Sequence, residues 1–458
     1  MTNFRHATLA AWCSLLAHAP QLAAQQPTRP PNIVLIVTDD QGYGDLGCHG
    51  HPTLRTPRLD AMAAAGRRFT QFYVAAPVCS PSRAALLTGC YPKRVGMHQH
   101  VVFPGDDHGL HPDEVTIADA LREAGYATGC FGKWHLGHHR GLLPLDQGFD
   151  AWFGTPYSND MAQAHRPANT RYRFRLPLLR DDAVIEWEPD QSLLTRRITE
   201  AAIEFIDAHR DAPFFAYVPH PMPHIPLYAS SAFAGGSRRG LYGDVIEEID
   251  WSVGAILDAL AERDLLEDTL VLFTSDNGPW TVHQTAGGSA GPLRGGKSTN
   301  WEGGQRVPLL AHWPGRLPAG SVCRDPMTAM DLLPTLAGLA GVRLADDRPI
   351  DGHDARPQLL GEPGRAPAPP FLYYTSHGEL AGVRRGPWKL LLDGDQLFHL
   401  EEDVGEQWDR ASEHPDLVAE LRALAVARDH ELTLGARAPA RRADRVFDPA
   451  VDAAPRQR

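Results

Sequence analysis

The chain has 458 residues, 43% hydrophobic and 22% charged, with a formal net charge of −12. That length buries a sizeable core, in one large domain with a smaller companion or in two to three domains, and the composition is ordinary globular material. The acidic balance excludes nucleic acid or an anionic membrane surface as the main partner, so an anionic ligand needs a locally basic pocket.

Arg5 and His6 precede the apolar stretch 7–17, and Ala23-Ala24 stand ahead of Gln25. Residues 1–24 therefore read as a secretory signal, and the mature chain is expected to be exported, periplasmic or secreted. No later stretch is long and apolar enough to span a membrane. Export permits disulfides. Cys13, Cys48, Cys79, Cys90, Cys130 and Cys323 show no Cys-x-x-Cys spacing of the zinc type, and no pairing follows from them.

After the Pro-rich linker 26–31, the run Asn32–Thr38 is apolar and β-branched, as in a strand buried on both faces of a parallel sheet. It ends in Asp39-Asp40. Thr56-Pro57 opens a helix through residue 65, stopped by Gly66. Cys79-Ser80-Pro81-Ser82-Arg83 begins another helix, because Pro81 suits a first turn. Cys79 then stands near a helix N-terminus, with Arg83 one turn away. A helix over 116–123 is followed by a strand over 126–130, which runs into Gly132-Lys133-Trp134-His135. Helical periodicity over 191–210 precedes a strand, 213–218, ending in His220 and His224. A helix over 243–263 precedes a strand, 269–274, ending in Ser275-Asp276-Asn277-Gly278. This alternation predicts a large mixed, mostly parallel α/β sheet flanked by helices, over 31–360. From residue 371 the pattern changes. Short strand-like segments at 371–375, 382–385, 388–392 and 396–400, then a helix over 415–430, predict a small antiparallel subdomain, 371–433. The Pro/Ala-rich stretch 361–370 connects the two, and 434–458 reads as a loose tail.

Four strands thus end in polar, chemically capable residues: Asp39/Asp40, Lys133/His135, His220/His224 and Asp276/Asn277. Parallel strands share a direction, so these ends gather on one sheet edge, where open α/β folds bind ligands. One Asp or Asn after a strand is readily a turn former or helix cap; four coincident sets beside Cys79 and Arg83 are not. Asp39, Asp40, Asp276 and Asn277 offer hard oxygens, suited to Ca²⁺ or Mg²⁺ rather than zinc. Arg83, Lys133 and Lys297, with His135 and His224, make a pocket for a tetrahedral oxyanion. A helix terminus contributes roughly 0.3–1 kcal/mol toward such an anion. A unit charge about 4 Å away contributes about 4 kcal/mol at an effective dielectric near 20, so the side-chain cations dominate. Cys79 itself reads either as a buried structural cysteine or as a nucleophile. His98, His100, His138, His139, His283 and His377 read as loop residues. Trp280 and Trp301, flanking the Asp276 and Lys297 loops, read as packing.

Cys79-x-Pro81-x-Arg83 followed by Ala84-Ala85-Leu86-Leu87-Thr88-Gly89 resembles the signature of the type I sulfatases. So do Asp39-Asp40-Gln41-Gly42-Tyr43-Gly44-Asp45, Thr56-Pro57-Arg58-Leu59-Asp60 and Gly132-Lys133-Trp134-His135-Leu136-Gly137. Thr274-Ser275-Asp276-Asn277-Gly278-Pro279 and Gly295-Gly296-Lys297 through Trp301-Glu302-Gly303-Gly304 continue the match in the same order. Pro156-Tyr157-Ser158 and Gly287-Gly288-Ser289 point to the arylsulfatase A and N-acetylgalactosamine-6-sulfatase branch. His49, His51, Val404 and Gln407-Trp408 depart from the family pattern, away from the expected chemistry.

The resemblance implies an alkaline phosphatase-like fold and hydrolysis of a sulfate ester. It implies that a formylglycine-generating maturation enzyme oxidises Cys79 to formylglycine, whose hydrate is the nucleophile. Asp39, Asp40, Asp276 and Asn277 would bind one Ca²⁺ with an oxygen of residue 79. Arg83 and Lys133 would orient and polarise the hydrate, and His135 would take the proton of its second hydroxyl. His224 and Lys297 would hold sulfate oxygens and assist the leaving alcohol, with Lys133 and Ser158 also touching substrate. Two other readings stay open: a phosphomonoester or phosphonate hydrolase on the same scaffold, and an inactive sulfated-glycan-binding protein with Cys79 unconverted. The alcohol portion of the substrate and the oligomeric state are not legible in the residues.

Overall fold

Side chains along a strand alternate between faces, and in Asn32–Thr38 both sets are apolar. Ile33, Leu35 and Val37 enter one hydrophobic core while Val34 and Ile36 enter another. The strand is therefore the centre of a sheet covered on both sides. The computed structural model describes residues 29–162, 165, 174–362, 368–442 and 444. The leader 1–24, residues 363–367 of the connector 361–370 and the end of the tail lie outside the described residues.

Five parallel strands form the middle of an 11-stranded sheet: Thr269–Ser275, Asn32–Thr38, Phe214–Pro219, Ala127–Lys133 and Ala151–Thr155, side by side in that order. Arg306–His312 and then Arg67–Tyr73 extend it antiparallel on one side, and Pro177–Arg180 with Ala183–Trp187 on the other. Helices Cys79–Thr88, Ile117–Glu123 and Leu332–Leu339 cover one face. Pro57–Ala65, Leu194–Ala208 and Leu241–Glu262 cover the other. The expected mixed, mostly parallel α/β architecture is the one observed.

The strand read as 126–130 runs on through Lys133, which places that lysine in the sheet rather than after it. The flanking antiparallel strands were not legible beforehand. Arg67–Tyr73 carries two arginines, a threonine and a glutamine, and only its partners make it a strand.

A second, four-stranded antiparallel sheet comprises Phe371–Tyr374, Leu380–Arg385, Trp388–Leu391 and Gln396–His399. Helix Pro415–Leu434 packs on it through Leu421, Ala425 and Leu432. The expectation of a loose tail after residue 434 is corrected over its first residues. Ala440–Arg441 pairs antiparallel with His108–Gly109, and Arg437 forms an ion pair with buried Glu114 at 2.7 Å. Polar and arginine-rich sequence is ordered here by hydrogen bonds to the main sheet's loops, not by a core of its own. Among the described residues no helix is long and apolar enough to cross a membrane.

Candidate active site

The register of the parallel strands aligns their C-terminal ends, so Thr38, Ser275 and Pro219 stand side by side. Backbone bonds continue past the strands. Asp276 N–H donates to the Thr38 carbonyl at 3.0 Å, and Asp39 N–H to that of Met222 at 3.1 Å. Asp39, Asp40, Asp276 and Asn277 are thereby brought to one edge, all buried. Asp40 and His135 have φ of 65° and 63°. For non-glycine residues this left-handed region costs roughly 1–2 kcal/mol each, and such strain is held in place only where surrounding structure determines it. At Gly278 a Cβ would lie 1.7 Å from the Gly303 carbonyl, so the turn carrying Asp276 and Asn277 needs glycine to close against the 302–305 segment.

All ten residues of helix Cys79–Thr88 are buried, and Cys79 is its first residue. Cys79 Sγ lies 3.4 Å from Asp39 Oδ1 and 3.6 Å from Lys297 Nζ. Arg83 sits one turn along the helix. Its Nε donates to Asp276 Oδ2 at 2.9 Å, its second nitrogen lies 3.3 Å from Asp39 Oδ2, and its third donates to the Lys133 carbonyl at 2.8 Å. Lys133 Nζ pairs with Asp39. Lys297 Nζ reaches Asp40 at 2.8 Å and lies 4.3 Å from the centroid of the Trp280 ring. His224 Nε2 is 3.6 Å from Asp40 Oδ2, with Trp280 against its ring at 5.4 Å. Trp280 is thus a positioning contact for two site residues, whereas Trp301 packs on Phe398 with the Arg294 guanidinium over its face.

The electrostatics of the cluster are uneven. Burial opposes ionisation of Asp39, but Lys133, His224, Arg83 and Lys297 outweigh it and hold its carboxyl below the usual range. Asp276 is pushed up to about 6, first by burial and then by the charge of Asp39. The Cys79 thiol is pushed well up by burial and by Asp39. It is therefore protonated at neutral pH and a poor thiolate nucleophile. Burial, then Lys133 and Arg83, push His135 well below its ordinary value, so its ring is a neutral base. His224 is lowered by burial and by Lys297.

The donor set fits a hard divalent cation. Three buried carboxylates converge with Asn277, whose Oδ1 is buried and has no hydrogen-bond partner. Its Nδ2 donates to Asp40 Oδ1 at 2.7 Å. Burial and the charge of Asp39 raise Asp276, and a Ca²⁺ bound there would favour its ionised form.

His135 Nε2 lies 3.0 Å from the Val102 carbonyl, and the Val102 N–H donates to Ser80 Oγ at 3.0 Å. The loop near Val102 is therefore tied both to the catalytic-edge histidine and to the residue after Cys79, a link with no local sequence signal. Ser158 is buried on the loop after strand Ala151–Thr155. Asp160, two residues on, was not singled out from the sequence. Burial favours its neutral form, but His224, Lys133, a bond from Ser158 and Lys297 together hold its carboxyl low. It thus faces the cationic side of the site; the signal was the continuation of Pro156-Tyr157-Ser158 into Asn159-Asp160. His220, at the end of its strand, turns away and meets Ser252 Oγ at 3.1 Å on helix Leu241–Glu262. His138 and His139, expected as loop residues, are buried against one another and Tyr157. The five described cysteines are free.

Comparison with known proteins bears on this arrangement. The family model described as Sulfatase matches residues 31–342. The chain is 44% identical over 396 residues to arylsulfatase A of Homo sapiens, covering 82% of this chain and 76% of that one. It is 42% identical over 394 residues to N-acetylgalactosamine-6-sulfatase of Canis lupus familiaris, covering 82% and 74%. The solved PsFucS1 sulfatase from Pseudoalteromonas sp. superposes with a TM-score of 0.80 at 27% identity, over 90% of this chain and 92% of that one.

Proposed function

The chain belongs to the sulfatase family, and on that premise we propose that it is an exported enzyme releasing inorganic sulfate from a sulfated carbohydrate or aryl sulfate. In this reading Cys79 is converted to formylglycine, and Asp39, Asp40, Asp276 and Asn277 hold one Ca²⁺ together with the side chain of residue 79. The observation that supports it most is the convergence of three carboxylates, two lysines and an arginine around a buried, protonated Cys79 thiol. Burial and the charge of Asp39 outweigh the nearby lysines and keep that sulfur protonated, whereas a thiolate enzyme depresses its cysteine's pKa.

When in place, the metal supplies Lewis acidity and the hydrated aldehyde supplies a nucleophilic oxygen with a second hydroxyl, which a serine lacks. The chain's own residues do the rest. Arg83 is locked by Asp276 and the Lys133 carbonyl, so it presents fixed positive charge beneath residue 79. Lys133, paired with Asp39, acts as a point charge at the same position. His135 is kept neutral and takes the proton of the second hydroxyl when sulfate is expelled. Lys297 and His224, steered by Trp280, hold sulfate oxygens and protonate the departing alcohol. Ser158 adds a polar contact. The catalytic residues belong to an α/β domain of 31–360, and 371–433 closes against it.

Kinetics of 4-nitrophenyl sulfate against 4-nitrophenyl phosphate test the reaction class, and a dominant phosphatase rate would overturn it. Peptide mass spectrometry over residue 79 in protein from the native host should show the mass of formylglycine. An unmodified thiol there would favour a sulfated-glycan binder instead. Chelation should abolish turnover, with Ca²⁺ restoring it.

A further inference from the structure

Among the described residues outside the sulfatase site, one group of side chains has the composition of a metal centre. The donor atoms of His100, Asp106 and His108 lie within 4.8 Å of one another, and all three residues are half-buried. We propose that His100, Asp106 and His108 bind a divalent transition-metal ion of the zinc class, at a second site independent of the one built on Asp39 and Cys79.

Two imidazoles and one carboxylate suit zinc, which takes nitrogen and oxygen ligands and leaves a fourth position to water. Tetrahedral ligands about 2.1 Å from zinc lie about 3.4 Å apart, so small side-chain rotations of half-buried residues complete the site. Each ligand is already anchored. The Val101 carbonyl lies 2.6 Å from His100 Nδ1, and Phe103 N–H donates to Asp106 Oδ2 at 2.8 Å. His108 lies in the two-residue strand that pairs with Ala440–Arg441 of the tail. The ring centroids of the two histidines are 5.6 Å apart, and because the Val101 carbonyl accepts the His100 Nδ1 proton, Nε2 is the nitrogen of that ring with a lone pair for a metal. The nearby cation, Arg441, is paired with Asp107 at 2.6 Å, so it does not set an unopposed charge against the metal.

The location gives the site a consequence. Between His100 and Asp106 lies Val102, whose carbonyl meets His135 and whose N–H meets Ser80. Just after His108, Leu110 N–H donates to the Leu136 carbonyl at 2.8 Å. Metal binding pins both ends of the segment that holds the His135 ring.

Calorimetric titration of ZnCl₂ into the full chain, stripped of metal and resupplied with Ca²⁺, tests this. One zinc site is expected in the wild type, retained in Cys79→Ala and weakened at least tenfold in His100→Ala, His108→Ala and the conservative Asp106→Asn. Isotherms unchanged in those three variants, or zinc binding lost only in Cys79→Ala, would overturn the proposal. A Co²⁺ spectrum of the wild type gives a check that needs no variant. Ligation by nitrogen and oxygen alone supports the site, and a thiolate-to-cobalt band places the metal elsewhere. Neither readout depends on sulfatase turnover or on conversion of Cys79.

Discussion

Two clusters of buried charge among the described residues differ in what they leave unfinished. Around Glu302, both oxygens of that residue's carboxylate have hydrogen-bond partners. Glu302 accepts from Tyr373 at 2.8 Å, from Lys389 at 3.1 Å and from Tyr73, and its own N–H donates to Glu406 at 2.7 Å. Lys389 completes the set at 2.6 Å from the other Glu406 oxygen. This cluster joins the 302–305 segment to the strands Phe371–Tyr374 and Trp388–Leu391, so its product is the docking of the small sheet. Around Cys79 the same residue types converge, yet Asn277 Oδ1 and His135 Nδ1 are buried without partners, and Asp276 is driven up to about 6. A satisfied cluster stabilises a junction; an unsatisfied one is prepared for a ligand.

Variants that separate stability from turnover sharpen this contrast. Cys79→Ala should cut sulfate release by roughly 10⁴-fold or more, while the unfolding transition moves by no more than about 1 kcal/mol. Turnover retained in that variant would remove the nucleophile assignment. Glu302→Ala should do the reverse. It removes one of the two carboxylates that pair with buried Lys389, and the acceptor of Tyr73 and Tyr373, for a loss of about 3–5 kcal/mol in denaturant unfolding, with kcat of the folded fraction unchanged. A Glu302 variant of normal stability but low kcat would erase the distinction between the clusters.

His135→Ala should lower kcat at least about 10²-fold, about 2.7 kcal/mol of barrier, with a smaller change in KM, because it removes a proton acceptor and not a binding charge. The weakest expected effect is on acid stability. Burial raises the Glu302 carboxyl, but Lys389, Arg306 and Arg384 outweigh it and bring it down to about 2 from the usual 4.5. A depressed folded-state pKa means stabilisation that is present above about 4.5 and lost as pH falls toward about 2. Glu302→Gln should flatten that limb of the stability–pH curve. Glu406 does not add to it, because burial pushes its carboxyl up instead.

Much of the edge was readable before any coordinates. The run Asn32–Thr38 announces a doubly covered strand by its uninterrupted apolar pattern, and Asp39-Asp40 follow it directly in sequence. The position of Cys79 at a helix start was equally local, since Pro81 falls in the first turn. Asp160 was passed over because its acidity is set by His224, Lys133 and Lys297, which are distant in the chain. Glu302 sat inside a recognised motif, Trp301-Glu302-Gly303-Gly304, which says nothing of its partners. Its actual partners come from strands at Tyr73, Tyr373 and Lys389.

By itself, the sequence determined four of the five parallel strands, the polar residues at their ends and the family to which the chain belongs; Ala151–Thr155 went unread. Those depend on apolar period, on turn and cap chemistry and on contiguous motifs, all of which act over a few residues. Tertiary structure alone decided that Arg67–Tyr73 is a strand, that the tail is ordered as far as Arg441, and that Val102 holds His135. It also decided which buried charges are satisfied and which await a ligand. A hydrogen-bond partner hundreds of residues away leaves no trace in local pattern, and desolvation by the whole fold sets whether a carboxylate there is stable.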